Sequence, residues 1–313
     1  MREVSINIPF FNRLDLLSRC VRSVEENTPR DLYELVLIND GSTEEGIVEY
    51  AKNKADVFVN HPELMGIAQS RYDGVANSTC KYICTLDDDV VVPPRWLETL
   101  LNTFKMDHLH PPMYNHPRCI QVGVDLKILS AMQYGRVTQC IFGSQRFTPN
   151  WILVVTEVGT FCMLFEKGLI DLIGSFDTHL FNVWSDLDFC RRISQNVFNL
   201  PNNPVVAIDT RVIVYHHGWA DPITGKFSTD KISNTREIVV SSIFPTNEAR
   251  LKVNLKIHIA SKFLHDRWGF TPLRGFTDGT KNDSYLKILE KNGIDINKPM
   301  CESWAHFPIY GGL

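Results

Sequence analysis

The sequence predicts an α/β protein: a Rossmann-like, mixed but mainly parallel sheet flanked by helices, followed by a helical C-terminal extension. Three observations predict it. Short β-branched runs alternate with helical patterns through the first hundred residues. Polar residues follow the C-terminal ends of the strands, and from about Arg95 the alternation gives way to a less regular half.

Val4–Pro9 is the first expected strand. Leu14, Leu17, Val21 and Val24 then recur at helical spacing, and Leu35–Asn39 forms the second strand. Ser42 or Thr43 is placed to cap a helix running through Tyr50, because a hydroxyl ahead of an apolar periodicity accepts from the free N–H groups of a first turn. A strand at Val57–Val59, a helix over Gly66–Ala76 and a strand over Lys81–Leu86 complete a β-α-β-α-β-α-β series. Asn12 follows the first strand, Asp40-Gly41-Ser42 the second and three aspartates the fourth. In open parallel sheets ligands bind at those ends, where loops and helix N-termini converge.

Trp96–Phe104 reads as a helix, and a Pro/His-rich connection from His108 to Pro117 follows. Strands are expected near Ile120–Val124, Gln139–Phe142, Ile152–Thr156 and Phe161–Phe165, a helix after Asp186, and strands at Val205–Ile208 and Val212–Tyr215. Leu251, Val253, Leu255, Ile257 and Ile259 alternate as in a strand, yet Leu251, Leu255 and Ile259 also fit a helix. No turn residue interrupts the run, which favours the helix.

At 313 residues with 44% hydrophobic composition the chain can bury a full core. The longest apolar runs, such as Trp151–Val155 and Ile238–Phe244, fall far short of the ~20 residues of a bilayer-crossing helix. Met1-Arg2-Glu3-Val4-Ser5 leads straight into a strand with no basic and apolar leader, so the expected location is the cytoplasm, with peripheral membrane contact left open. The cysteines lie scattered among apolar neighbours without a CxxC pair, the pattern of buried reduced thiols rather than of a zinc site. Residues 231–313 carry 12 Lys/Arg against 8 Asp/Glu, so the remainder is acidic, which argues against nucleic-acid binding as the core activity. The basic tail suits a solvated helix surface, or contact with an anionic acceptor, lipid head group or partner.

Thr85-Leu86-Asp87-Asp88-Asp89-Val90 is the strongest local signal: three carboxylates in succession at the end of an apolar strand. Adjacent like charges are costly unless something positive sits on them, and a divalent cation such as Mn2+ or Mg2+ suits hard oxygen ligands, with a diphosphate completing its shell. Asp87 and Asp89, two apart, point the same way from extended backbone, and Asp88 points the other way. The plainer alternative is an acidic loop that caps the helix at Arg95–Phe104. Asp40, at its strand's end, can accept from a pyrimidine N3–H or a ribose hydroxyl, although Asp-Gly-Ser is also a common turn. Asp186, on the first turn of its helix, is placed at a cleft edge to deprotonate a hydroxyl; alternatively the segment is a helix start with an Asp188–Arg192 pair. His216 and His217 stand just past a strand, where one imidazole can complete a metal site or simply pack.

In order, "VSINIPFFNR", "LVLINDGSTEE", "ELMGIAQSRYDGV", "YICTLDDDVVVPPRWL", "VGTFCMLFEKGLIDLIGSFD", "WSDLDFCRRI" and "VIVYHHG" resemble family 2 glycosyltransferases of the GT-A fold, over roughly residues 3 to 220. The resemblance implies a catalytic domain over 1–225, with a nucleotide-sugar-binding half (1–105) and an acceptor-side half (106–225). Residues 226–313 are then an extension for acceptor or oligomer contacts. It implies donor contacts from Pro9, Phe10, Asn12, Asp40, Gly66, Arg71, Asp87 and Asp88, metal ligands in Asp87, Asp89 and His216 or His217, and a general base in Asp186. Gly159, Thr160, Trp184 and Ser185 then lie where acceptor and donor sugar meet. Three positions depart from the family pattern: Asn39 where a further Asp is frequent, Leu64 where an Asn often precedes the helix glycine, and Ser185 where a Glu often precedes the base.

The implied reaction moves a sugar, with inversion, from a nucleotide diphosphate sugar, a UDP-sugar favoured, to a hydroxyl of a glycan or lipid-linked glycan. A nucleic-acid acceptor reached through the basic tail is the minor alternative. A retaining transferase, a sugar nucleotidyltransferase and an inactive sugar-nucleotide-binding module compete with it. Nucleotidyltransferases carry a glycine-rich basic loop after the first strand, which Pro9-Phe10-Phe11-Asn12-Arg13 lacks.

Overall fold

The computed structural model describes residues 2–105, 125–133, 152–200, 204–216, 247–269, 287 and 289–301. Strands β1 (Val4–Phe10), β2 (Tyr33–Asn39), β3 (Val57–Asn60) and β4 (Tyr82–Leu86) lie in the order β3-β2-β1-β4, all parallel. Helices α1 (Leu14–Asn27), α2 (Ile47–Lys54) and α3 (Ile67–Asn77) connect them. All residues of β1, β2 and β4 are buried, as expected of strands covered on both faces.

After a two-residue β5 (Val90–Val91) and helix α4 (Trp96–Phe104), the sheet turns mixed. Its remaining strands are β6 (Asp125–Gln133), β7 (Ile152–Val155), β8 (Cys162–Glu166) and β9 (Pro204–His216). β8 enters antiparallel to β4; β6 pairs with β8 and β9, and β7 and β5 pair with β9. Period-2 alternation sorts side chains into two cores. Cys84, Leu86, Cys162 and Leu164 face α1 and α4 with Leu17, Val21 and Trp96, whereas Ile83, Met163 and Phe165 face Phe176 and Phe189 on the other side.

Helix α5 (Leu169–Ile173) and a 3-10 turn (Thr178–Leu180) precede α6 (Ser185–Ser194), and α7 (Asn247–Trp268) is the helix that the uninterrupted apolar run favoured. Ala260, Phe263 and Leu264 of α7 pack on Ala68, Leu180 and Leu187. No helix among the described residues is long and apolar enough to cross a membrane. Cys20, Cys80, Cys84, Cys162 and Cys190 are buried free thiols.

Three local expectations change. Neither Ser42 nor Thr43 caps α2, which starts after Gly46 in the left-handed region with no side-chain cap. Both bond instead to Asn12 on the neighbouring loop: Ser42 Oγ accepts from its N–H, and the Thr43 N–H donates to its Oδ1. The strands expected at Val205–Ile208 and Val212–Tyr215 are one, β9. The polar break between them is an irregularity where buried Asp209 accepts from the Arg211 N–H and from Thr103 Oγ1. The acidic triplet does not cap α4, whose first turn follows Arg95 with no side-chain cap. β6 went unforeseen, and the strands expected at Ile120–Val124 and Gln139–Phe142 lie outside the described residues.

Candidate active site

β4 delivers the triplet. The Asp87 N–H donates to Phe161 O at 3.1 Å and the Val90 N–H to Asp87 O at 3.2 Å, so the chain turns tightly between β4 and β5. β5 then pairs with the end of β9, with Val90 opposite His216. That pairing carries His216, 127 residues on in sequence terms from Asp89, to the triplet: its Nε2 lies 2.9 Å from Asp89 Oδ1 and 3.7 Å from Asp87 Oδ2. One ligand atom from each of Asp87, Asp89 and His216 falls within 4.8 Å of the others. The imidazole stacks on Phe161, and its Nδ1 is buried with no hydrogen-bond partner among the described residues. Two carboxylates and one imidazole nitrogen, converging at a cleft wall, fit a divalent cation with positions left for a diphosphate. His217 lies outside the described residues.

Two arginines offset the carboxylates. Arg13, left-handed at φ 60, donates from Nη2 to Asp88 Oδ1 at 2.6 Å and from Nη1 to Asp89 Oδ2 at 3.5 Å. Arg71 of α3 donates to Asp87 Oδ1 at 3.2 Å and to Ser185 Oγ at 2.9 Å. Burial pushes the Asp88 carboxyl up to about 7, with Asp89 and Asp87 adding to the rise and Arg13 opposing it. For His216, burial disfavours the charged ring, yet Asp89, Asp87 and Asp88 outweigh it and its pKa is raised. The extended backbone expected through the triplet is instead a tight turn, so strand alternation does not sort it: Arg13 reaches both Asp88 and Asp89, and all three aspartates border one cleft. Arg13 escaped the sequence reading, although it follows Asn12 at the sheet end where the triplet also lies.

These groups line a cleft of about 540 Å³. Pro9, Phe10, Asp40, Arg71, the three aspartates, Gly159, Thr160, Trp184, Asp186 and His216 all border it, joined by Leu64 and Asn182, which the sequence did not single out as site residues. Asn12, Gly66 and Ser185 stand behind the lining. Asn12 Oδ1 accepts from the Thr43 and Glu44 N–H groups, so it ties the β1 loop to the β2 loop. Ser185 is buried and receives Arg71. Asp40 Oδ1 accepts from the Met65 N–H at 2.8 Å, shares the Gly66 N–H at 3.2 Å and lies 3.2 Å from His61 Nδ1, while Oδ2 accepts from the Gly66 N–H at 3.0 Å and from no other donor among the described residues. Oδ2 is therefore the oxygen with capacity left for a ligand.

Gly66 is required by shape. Its φ of 101° lies in the region that favours glycine, and an added Cβ would sit 2.4 Å from the Phe181 ring. Gly66→Ala is expected to lower the unfolding free energy by about 2 kcal/mol, because it forces apart the α3 entry and the Phe181 ring. Denaturant melts check this; an unchanged midpoint contradicts it.

Asp186 sits on the first turn of α6, its Oδ1 accepting from the Leu187 N–H at 2.8 Å. The carboxylate opens to the cleft but is otherwise enclosed by protein. Burial raises its pKa, Arg71 pulls the other way, and the net shift is upward. The approach to α6 is strained: Phe181 (φ 44, ψ −102) and Trp184 (φ 64) both adopt positive φ within four residues. Asn182 Oδ1 accepts from the Ile67 N–H at 2.8 Å, and Phe181 O from the Ala68 N–H at 2.8 Å, fastening this loop to α3.

The model of Glycosyl transferase family 2 matches residues 5–172, which span the parallel half and the triplet. The chain belongs to glycosyl transferase family 2. Among curated relatives, an uncharacterized glycosyltransferase of Rickettsia bellii is 27% identical over 63% of this chain and 27% of its own length. The uncharacterized glycosyltransferase YibD of Escherichia coli is 31% identical over 38% of this chain and 35% of its own. A poly-beta-1,6-N-acetyl-D-glucosamine synthase of Staphylococcus aureus is 28% identical over 47% and 35%. This family 2 chain therefore spans about a third or less of the length of these relatives. A crystal structure of GalNAc-T7 with UDP, GalNAc and Mn2+ superposes with a TM-score of 0.54 at 14% identity, covering 94% of this chain and 55% of that one. The fold is GT-A, with the family 2 chain's triplet at the strand end where the sheet changes from parallel to mixed.

Proposed function

We propose that this chain transfers a sugar from a nucleotide diphosphate sugar to an acceptor hydroxyl, with inversion, using Asp186 as general base. The observation that supports it most is convergence: Asp87, Asp89 and His216 meet in the same cleft that Asp186 borders, with Arg71 touching both Asp87 and Ser185. In this reading Asp186 takes the proton as the acceptor oxygen bonds to the anomeric carbon and the bond from that carbon to the diphosphate breaks. Arg13 and Arg71 hold positive charge beside the diphosphate, and Asp40 Oδ2 accepts from the nucleoside. Mn2+ or Mg2+, held by Asp89, Asp87 and His216, supplies charge against the leaving group when bound. Gly159, Thr160, Trp184 and Ser185 flank the acceptor. The structural neighbour crystallised with UDP and Mn2+ puts UDP-sugars first, and a glycan or lipid-linked glycan is the favoured acceptor. Residues 1–225 are proposed as the transferase domain and 226–313 as the part that adds acceptor or oligomer contacts.

A thermal-shift and hydrolysis screen across UDP-, GDP-, dTDP- and CMP-sugars, with and without Mn2+, names the donor, and NMR of the product anomer tests inversion. Asp186→Asn is expected to cut turnover about a hundredfold or more while UDP binding persists. The base works deprotonated, so turnover falls as pH drops through its pKa. Because burial raises that pKa, the acid limb of kcat/KM should lie above the ordinary carboxylate value of about 4 and vanish in Asp186→Asn. Transfer at the wild-type rate by that variant removes Asp186 from the role.

A further inference from the structure

The loop carrying Phe181, Trp184 and Asp186 is bracketed by two carboxylates, and one side chain from the distant C-terminal helix reaches both. Asp177 precedes the loop and Asp188 follows it, 6% and 0% exposed in their side chains. Arg267, near the end of α7 and 3% exposed, donates from Nη2 to Asp177 Oδ2 at 2.7 Å and from Nη1 to Asp188 Oδ1 at 3.0 Å. Trp268 Nε1 donates to the same Asp188 oxygen at 3.0 Å, and Arg192 holds the other oxygen at 3.0 Å. Burial opposes ionisation of Asp177, yet bonding from His179 and the Arg267 charge draw its pKa down to about 2. The Phe263 and Leu264 side chains of α7 meet Leu187 within one apolar cluster, against which Val183 and Trp184 also pack.

Positive φ at two aromatic residues persists only where the surroundings over-determine the backbone. The hydrogen bonds from α3 secure the donor side of the loop; on α6, Arg192 reaches the Ile173 and Gly174 carbonyls and Phe189 stacks on Phe176, and Arg267 adds a charged link to both Asp177 and Asp188. A bidentate guanidinium is a planar fork that fixes distance and direction together. We propose that Arg267 is the positioning residue for the acceptor side of the cleft: by pairing with Asp177 and Asp188 it closes the 177–188 segment and sets Asp186 and Trp184 in working register. The C-terminal helix is then part of the catalytic apparatus although none of its described residues lines the cleft. The inference rests on Asp186 being the base.

The test compares Arg267→Met, Arg267→Lys and Trp268→Phe with Asp186→Asn, measuring kcat and KM for hydrolysis of the UDP-sugar panel in Mn2+, UDP affinity by titration, and melting temperature. A misplaced reacting group costs up to about a hundredfold in rate. Arg267→Met is therefore expected to lose roughly 10- to 100-fold in kcat with KM and UDP affinity unchanged, and Arg267→Lys to recover part of the loss. Should Arg267→Met not fold, the Lys variant and Trp268→Phe, which removes one of the two donors on Asp188 Oδ1, carry the same kcat-against-KM test. Folded variants with wild-type kcat, or with UDP affinity falling in step with kcat, overturn the inference. If Asp186→Asn is inactive while the Arg267 variants are normal, positioning fails and the base stands; if Asp186→Asn is fully active, the base reading itself fails.

Discussion

Asp89→Ala is expected to reduce sugar transfer on the order of a thousandfold and to make the residual rate indifferent to Mn2+. Asp89 is the carboxylate closest to His216, at 2.9 Å, and it shares Arg13 with Asp88. Its removal leaves Asp87 and an imidazole that has lost its nearest counter-charge, a set too weak to hold a hard cation beside a diphosphate. The leaving group gathers its charge in the transition state, so the loss should fall on kcat more than on donor KM. Asp88→Asn serves as the contrast. Asp88 faces Arg13 rather than His216, and an amide can still accept from the guanidinium, so a smaller effect with Mn2+ dependence retained is expected. Turnover rates across a Mn2+ titration separate the two. An Asp89→Ala protein that turns over normally and still responds to Mn2+ removes the metal site from these residues.

Asp188→Ala is expected to cost about 3–5 kcal/mol of stability, the largest structural loss at any single position considered. Asp188 and Arg192 are both fully buried, and Asp188 also receives Arg267 and Trp268. Truncation takes from Arg192 and from Arg267 the carboxylate that both share, while the Ile173 and Gly174 carbonyls stay on Arg192 and Asp177 stays on Arg267. Removing the carboxylate from a buried ion pair costs far more than the pair was favourable. Against a typical stability of about 5–15 kcal/mol such a loss is severe. Asp188→Asn, which keeps an acceptor for Trp268 but not the charge, should fall between. Denaturant midpoints order the three proteins; equal midpoints for wild type and Asp188→Ala contradict the buried cluster.

The parallel half was legible because its signals are local. β1, β2 and β4 are continuous apolar runs ended by polar turns, and α1 shows its period in Leu17, Val21 and Val24. The acidic cluster was legible because three adjacent carboxylates at a strand end are unusual, whereas Asp186, on a first helical turn where acidic residues are common, stood out only in the order of the motifs. The i,i+4 pairing of Asp188 with Arg192 was readable too, but not its burial, since the same spacing on a surface helix looks identical in sequence. Ser42 shows the opposite failure: a hydroxyl with good capping chemistry was claimed by Asn12 from another loop.

The sequence by itself determined where most of the helices and strands form, which ends of the strands carry polar chemistry, and that the triplet needs positive charge. These follow from side-chain period and from the cost of crowding like charges, both of which act between near neighbours. Only the tertiary structure decided which positive groups answer that need. Arg13 comes from the loop after β1, Arg71 from α3, and His216 from the β5–β9 pairing, while Arg267 reaches Asp177 and Asp188 from a helix beyond the family-matched region. Such partners are set by strand order and helix docking, which bring together residues far apart in sequence, and no local periodicity encodes them.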